Sequence, residues 1–430
     1  MPAPADSPPP AAQGAAHEVL RQYEDAPYPC SDELVFSNHW TMPSLGWMEA
    51  LGCHGRSLEE PGARILVAGC GTGQESFAIA QRFPGAQVVG MDFSPRSVEL
   101  ARRFQAQRAT EYPQVDFLVG DLTDPTLAET LGPPFDFISC QGVLTYIPAF
   151  AACFPVLRAC LRPRGLCYLG VNGPLHDSLK IRGIFQRLGL DPTRQADSDE
   201  TRARLGALDR WRLSMLSRDV RDAVKNGRIT ISPVSEEPWP YLSSDVFGAH
   251  INNLPLETWL EPAEAAGLHF LGSAPHYRHV NALLADDQLP PEMRSLPEGE
   301  LYRLAAHFAP VSFHQLLLSA APVREAPWSD PVELLRWRPW RNPRMDAEAI
   351  QVLIGAGAVP VNVAKGLEDL TSGQTLVGAR TAALILAADG QRTLGELLAH
   401  VGLSADPAPV LGDRIRKLSL RCLLRLLLPA

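Results

Sequence analysis

The sequence predicts an α/β protein: a mainly parallel sheet flanked by helices, followed by a smaller, mainly helical unit. Three observations predict it. Between residues 64 and 172, apolar β-branched runs alternate with amphipathic helical stretches over short connections, the pattern of βαβ units. Gly69, Gly71 and Gly73 join the first apolar run to the first helix, where a chain turns tightly around a ligand. Residues 175–250 lack strand character, and it returns from 256, so a long insertion interrupts the sheet.

Taken in order, "RILVAG" is the first strand and 74–83 the first helix, followed by "QVVGMD", a helix from Pro95, "VDFLVGD", a short helix, "FDFISCQ", a helix near 149–161 and "GLCYLGVN". That makes five strands by Asn172. The stretch "LPLETWLEPAEAAGLHFLGSAPHYRHVNALLA" reads as a helix closed at Gly267 and two further strand-like segments. From about 290 the chain is helical again, with "VSFHQLLLSAAP" as a candidate strand. "RWRPWR" lies in a Pro-, Trp- and Arg-rich boundary and reads as a domain seam with Arg packed on Trp. Thr393 and Glu396, three apart before an apolar-periodic run, form a capping box. The final stretch reads as a helix with a buried leucine face.

The expected domains are a disordered tail (1–16), a helical cap (17–63), a catalytic domain (64–288) with the insertion 175–250, a helical connector (289–345) and a small C-terminal domain (346–430). A chain of 430 residues exceeds one ordinary core. A net charge of -9 argues against nucleic acid as a partner, because a polyanion needs a field of opposite sign. "MPAPADSPPPAAQGAA" has no basic start and no apolar core, so it does not read as a signal peptide, and no long apolar run suggests a membrane span. The expected location is the cytoplasm. The eight cysteines form no C-x-x-C pair and no cluster at zinc spacing, so they read as core filler, and no metal is expected.

The glycines alone suit either a dinucleotide or another adenosine ligand. Asp92 ends the second strand, nineteen residues after Gly73, where a carboxylate can accept from both ribose hydroxyls. Asp121 ends the third strand, placed to accept from an adenine amino group, with the Leu122 backbone beside the ring. Acids after both strands favour a nucleoside without a pyrophosphate.

The segments "VAGCGTG", "VVGMDFS", "FLVGDL", "FDFISCQGVLTYIP" and "LRACLRPRGLCYLG" occur in the order of the class I S-adenosylmethionine-dependent methyltransferases, which this chain resembles from 64 to about 172. Arg164 between Pro163 and Gly165 is a departure from the family's fifth-strand turn. The resemblance implies a seven-stranded Rossmann-like methyltransferase sheet with a helical insertion and a winged-helix-like C-terminal domain. It also implies S-adenosylmethionine as cofactor, held by Ala68, Gly69, Cys70, Gly71, Gly73, Asp92, Phe93, Asp121, Leu122 and Gln141. Many members carry an acid where Val67 stands. The methionine end of the donor is then expected to be held by backbone near Ala68 and Gly69, by Gln141 and by the cap, where Tyr23, Tyr28 and Asn38 are candidates.

Methyl transfer needs an aligned, deprotonated acceptor more than it needs covalent help, because the sulfonium is already activated. Tyr146, Asn172, His176 and Asp177 follow the fourth and fifth strands and form the acceptor-site shortlist, with His176 as a base near neutral pH. His39, His276 and His279 carry less weight. "AGLHFLGSA", "VSFHQLLL" and "ILAADGQRTLGELL" resemble, more sparsely, later parts of bacterial methyltransferases of the protein lysine type that carry a regulatory domain. That implies a polypeptide acceptor. A small biosynthetic intermediate, with the C-terminal domain used for dimer formation, and a cofactor-binding adaptor without catalysis are the alternatives.

Overall fold

The computed structural model describes residues 10–28, 35–36, 58, 61–215, 217–218, 233–273, 293, 296–308, 310–322, 324, 326–328, 330–341, 351, 358–361, 375–403, 408–420 and 424–427. Seven strands form one sheet: β1 (Arg64–Ala68), β2 (Gln87–Asp92), β3 (Val115–Val119), β4 (Phe135–Gln141), β5 (Leu161–Asn172), β6 (His269–Ser273) and β7 (Phe313–Ser319). Their order is β3-β2-β1-β4-β5-β7-β6. The first five run parallel, and β7 lies antiparallel to both β5 and β6.

Helices α2 (Gln74–Arg82), α3 (Pro95–Gln107), α4 (Leu127–Leu131) and α5 (Cys153–Cys160) connect the parallel strands. α3 starts where Ser94 accepts from the Ser97 amide and Pro95 occupies the first turn, a position where its missing N–H costs nothing. Covered on both faces, the central strands are apolar on both sides, as in "FDFISC" and "LCYLGV". One apolar cluster contains Leu66, Ile138, Leu169 and Trp259, and the other contains Ile65, Phe77, Phe117 and Tyr168. Each such large side chain contributes about 1.5–3 kcal/mol on burial.

The insertion carries α6 (Asp177–Arg187), α7 (Asp199–Met215) and a π-helical turn at Leu242–Val246. It has its own small core of Ile181, Phe185, Leu205, Leu242, Val246 and Phe247. The chain then rejoins the sheet through α8 (Leu256–Ala265) and β6, as expected.

Four sequence expectations need correction. The seventh strand is "FHQLLLS", so the sheet domain extends past the boundary at 288 to about residue 319, and α9 (Glu298–Phe308) belongs with it. Leu316, Leu317 and Leu318 are buried on both faces, and a strand clamped between β5 and β6 needs that continuous apolar run. "RPWR" forms β8 (Arg338–Arg341), paired with β11 (Leu424–Leu427), so the C-terminal unit begins well before 346 and the last helix stops at Leu420. Leu334 of α10 (Pro331–Leu334), Leu335, Ala326 and Trp328 pack into the same core as α11 (Ala379–Ala387), α12 (Leu394–Val401) and α13 (Ala408–Leu420), and β9 (Ala358–Val361) pairs antiparallel with β10 (Thr375–Gly378). The fourth correction is at the start: α1 (Pro10–Asp25) begins inside the segment expected to be a disordered tail. "AAQGAA" is alanine-rich, and Pro10 sits where a helix tolerates it.

Thr393 and Glu396 do form the capping box of α12. Arg324 lies over the Trp337 ring, with 5.9 Å from its guanidinium carbon to the ring centre, so the Arg-on-Trp packing occurs inside the C-terminal unit. The described cysteines Cys70, Cys140, Cys153, Cys160 and Cys167 are all buried and free. Cys30, Cys53, Cys422, Asn38, His39, His276 and His279 lie outside the described residues. Among the described residues, no helix is long and apolar enough to cross a membrane, and no group of three potential ligands could hold a metal.

Candidate functional site

Strand order reverses between β1 and β4, and the loops after these two strands border a crevice, the place where open α/β sheets bind ligands. The loop after β1 is Gly69–Cys70–Gly71–Thr72–Gly73, with φ of 74° at Gly69, 52° at Gly71 and 99° at Gly73. A Cβ at Gly71 would sit 2.5 Å from the Tyr28 carbonyl oxygen, and Thr72 donates its N–H to that oxygen at 3.4 Å. The segment after α1 therefore lies directly on the glycine loop.

Asp92 closes β2 with its carboxyl turned back into this loop. Oδ2 accepts from the Gly71 amide at 2.8 Å and Oδ1 from the Ser94 amide at 2.9 Å. Burial nevertheless pushes the carboxyl up to about 6, against the pull of these amides and that of Phe93. With three amides on its two oxygens, the carboxyl keeps acceptor capacity for a further donor. Asp121 is exposed at the end of β3, where Oδ1 accepts from both the amide and the hydroxyl of Thr123, and Leu122 beside it is buried. Ala68 is buried at the end of β1. Gln141 ends β4, and its Oε1 accepts from the Tyr168 hydroxyl at 3.0 Å.

Residues 66–167, which include the glycine loop, Asp92, Asp121 and Gln141, match the family model described as a methyltransferase domain. The chain carries a class I S-adenosylmethionine-dependent methyltransferase domain. An uncharacterised protein of Synechococcus is 27% identical over 312 residues, covering 67% of this chain and 68% of that protein. The malonyl-[acyl-carrier protein] O-methyltransferase of Halalkalibacterium halodurans is 29% identical over 143 residues, 31% of this chain and 51% of that enzyme, so the match spans about half of it. Among solved structures, PKMT2 from Rickettsia typhi in complex with AdoHcy shares the fold, with a TM-score of 0.56 at 16% identity over 91% of this chain and 76% of that one.

In the methyltransferase domain the cofactor residues fit S-adenosylmethionine. The buried Asp92 carboxyl, the exposed Asp121, the buried Leu122 and the glycine-rich backbone are of the kind an adenosine with a ribose and an adenine calls for. One observation bears on the place of Val67. Val67 is buried, and its register partner on β4 is Ser139, whose hydroxyl donates to Glu75 Oε1 at 2.6 Å. An acid does occupy this neighbourhood, supplied by the first turn of α2 and not by the first strand. Glu75 is half-buried, and desolvation lifts its carboxyl to about 7.

The acceptor shortlist divides. Tyr146, in the turn after β4, is buried, and its hydroxyl donates to Asp245 Oδ1 on the π-helical turn of the insertion. Tyr23 from α1 lies edge-on to Tyr146 at 6.4 Å and to Phe93 at 5.8 Å, bridging the two ends of the crevice. Asp245 is pushed up to about 6 by burial, and the phenols of Tyr146 and Tyr23 are pushed well above their usual range by burial first and by Asp245 second.

The other three residues do structural duty. Asn172 is fully buried, donating to Asn253 Oδ1 at 3.1 Å while its own carbonyl accepts from Trp259 Nε1 at 3.1 Å. His176 caps α6: its Nδ1 lies 2.8 Å from the Ser178 hydroxyl and accepts the Ser178 amide, and burial lowers its pKa. A ring held in that way is a poor base. Asp177 sits at the surface in ion pairs with Lys180 at 3.0 Å and Arg212 at 3.5 Å.

Sequence reasoning missed Asp245, Glu75 and Tyr168. Glu75 was within reach of inspection, since "GTGQES" puts an acid in the first turn after the glycines. Asp245 carries no local signal; its partner is 99 residues away.

Proposed function

We propose that the protein transfers the methyl group of S-adenosylmethionine to an amine on a polypeptide side chain. The observation that carries this reading is the enclosed Asp245 carboxyl among Tyr146, Tyr23 and Tyr241, with Tyr146 bonded to it. A carboxylate with tyrosine rings as neighbours suits a cationic ammonium, which gains ion pairing with the carboxylate and cation–π attraction to a ring. The donor supplies an activated methyl group when bound.

The chain's own residues then orient the acceptor and exclude water. Tyr146 gives its proton to the hydrogen bond with Asp245, which leaves its oxygen lone pairs to accept from an incoming N–H. Asp245, ionised at neutral pH, takes the proton that the amine must lose before it attacks. Tyr23 closes the top of the crevice from α1. Gln22, one residue earlier, fixes α1 to the insertion, donating to the Ser243 carbonyl at 2.6 Å and accepting from the Ala249 amide at 3.0 Å.

Support for a polypeptide acceptor comes from the resemblance of the later segments to the protein lysine type, and from a likeness to PKMT2 that extends beyond the common domain. Remote contacts from the insertion and the C-terminal unit could position a large acceptor. The match to the malonyl-carrier O-methyltransferase covers 31% of this chain, against the 91% covered by the likeness to PKMT2.

The test is incubation with labelled S-adenosylmethionine and bacterial lysate, followed by separation of protein from small molecules and by hydrolysis to amino acids. Label on a methylated amine of a protein residue supports the reading. Label confined to small molecules replaces it with the biosynthetic alternative, and label in neither fraction leaves the adaptor reading.

A further inference from the structure

The glycine loop lies between two enclosed carboxyls. Asp92 is on one side, already holding the amides of Gly71 and Ser94. Glu75 is on the other, where Oε1 accepts from Ser139 Oγ at 2.6 Å. Ser139 pairs with Val67 in the interior of the sheet, two residues before the end of β4, so the Glu75 carboxyl is at the floor of the crevice.

Among the described residues, the groups facing Glu75 are the Ser139 hydroxyl and the Cys140 thiol from β4 and the Cys70 thiol from the loop, with Asp92 beyond Cys70. Burial raises both thiols, which keeps them neutral. None of these groups is a cation. A carboxyl enclosed with one hydroxyl donor is costly to keep unless a ligand completes it.

The donor molecule has two positive centres, and they differ in a decisive way. The sulfonium has charge but no hydrogen to donate, whereas the α-ammonium brings three N–H donors. We infer that Glu75 is the counter-ion and hydrogen-bond acceptor for the α-ammonium group of the bound methyl donor, taking from α2 the place that Val67 leaves on β1. The proposal concerns the cofactor end of the site and stands whatever the acceptor proves to be.

The test is calorimetric binding to the full chain with three probes: S-adenosylmethionine, S-adenosylhomocysteine and 5′-methylthioadenosine, which keeps the nucleoside and thioether but has no amino acid. Glu75→Gln weakens the first two alike, by about tenfold or more, since a charge-assisted hydrogen bond is lost. It leaves 5′-methylthioadenosine unchanged, which also certifies that the loop is folded. An equal loss for all three probes would mean a damaged loop, a loss for the sulfonium compound alone would mean a sulfonium site, and no loss would mean no role; each overturns the proposal.

The pH dependence gives a second readout. Binding of an ammonium favours the ionised carboxyl, so affinity for S-adenosylhomocysteine falls as pH drops below about 7 in the wild type and stays flat there in Glu75→Gln. Ser139→Ala removes the group that lowers the Glu75 pKa, so the midpoint moves to higher pH. 5′-Methylthioadenosine, measured over the same range, reports Asp92 separately. An unmoved midpoint in Ser139→Ala, or the same pH profile in Glu75→Gln as in the wild type, sinks the assignment.

Discussion

The Tyr146 hydroxyl donates to the Asp245 carboxyl, joining the end of β4 to a π-helical turn 99 residues further along the chain. π-Turns inside helices are rare and gather at functional sites, where they aim a side chain that a regular helix would turn away. Tyr146→Phe removes this donor and leaves Asp245 with the Ser244 hydroxyl at 3.3 Å; Asp245→Asn removes the charge. Each should lower kcat/KM for methyl transfer by about ten- to a hundredfold, with donor affinity within about twofold of wild type. Steady-state rates with calorimetric binding check it, and equal activity in both variants would remove the pair from the mechanism.

Asp92 sits where it must serve both the loop and the ribose. Asp92→Ala frees the Gly71 and Ser94 amides and deletes the acceptors for the ribose hydroxyls. Donor affinity should fall by about a hundredfold or more, since hydrogen bonds to a charged group are each worth about 1.5–3 kcal/mol. Binding of labelled donor is the measurement, and affinity retained within tenfold would count against the ribose assignment.

The free protein should be more stable in mild acid than at pH 8. Asp92 and Asp245 are each raised to about 6 and Glu75 to about 7. A carboxyl with a raised folded pKa stabilises the fold fully when protonated, and that contribution is lost as pH rises through the folded value. For Asp92 the full gap is realised only below its unfolded value of about 4, and between pH 8 and 5.5 it contributes about 1 kcal/mol. Melting temperature should therefore rise between pH 8 and pH 5.5. The carboxyls of Asp124, Asp191, Asp389 and Glu396 have lowered pKa values and act in the opposite sense only in stronger acid, whereas the burial-lowered His176 and His250 oppose the rise within this window, so the net gain is that of three carboxyls against two imidazoles. A flat profile between pH 8 and 5.5 would contradict the burial of the three raised carboxyls.

Gly71→Ala tests the contact between the cap and the loop. The new methyl group meets the Tyr28 carbonyl oxygen at 2.5 Å, and φ of +52° adds about 1–2 kcal/mol of strain. The segment after α1 must move away, which loosens Tyr23 as well. Donor affinity and proteolytic protection of residues 10–28 should fall together, and unchanged protection would show that the cap is held by something other than the loop.

Much of the sheet was legible because its signals are local. The runs "ILVAG", "VVGMD" and "FDFISC" are apolar because parallel strands are covered on both faces, and Gly69, Gly71, Gly73 and Asp92 fall at the strand ends. Ser94 before Pro95, and Thr393 with Glu396, announce helix starts within four residues. The position of "FHQLLLS" was another matter: its composition allowed a strand, yet nothing local says that it slots between β5 and β6 after more than 140 residues. The C-terminal boundary failed for the same reason, since β8 finds its partner β11 at the far end of the chain.

By itself the sequence determined the order of βαβ units, the glycine loop and the acids that end the second and third strands, because each depends on spacing within about twenty residues. Only the tertiary structure decided which polar groups face one another: Asp245 with Tyr146, Glu75 with Ser139 beside Val67, and His176 spent as a helix cap. Those pairings follow from packing and desolvation, and the free energy of an enclosed carboxyl depends on neighbours that sequence distance does not reveal.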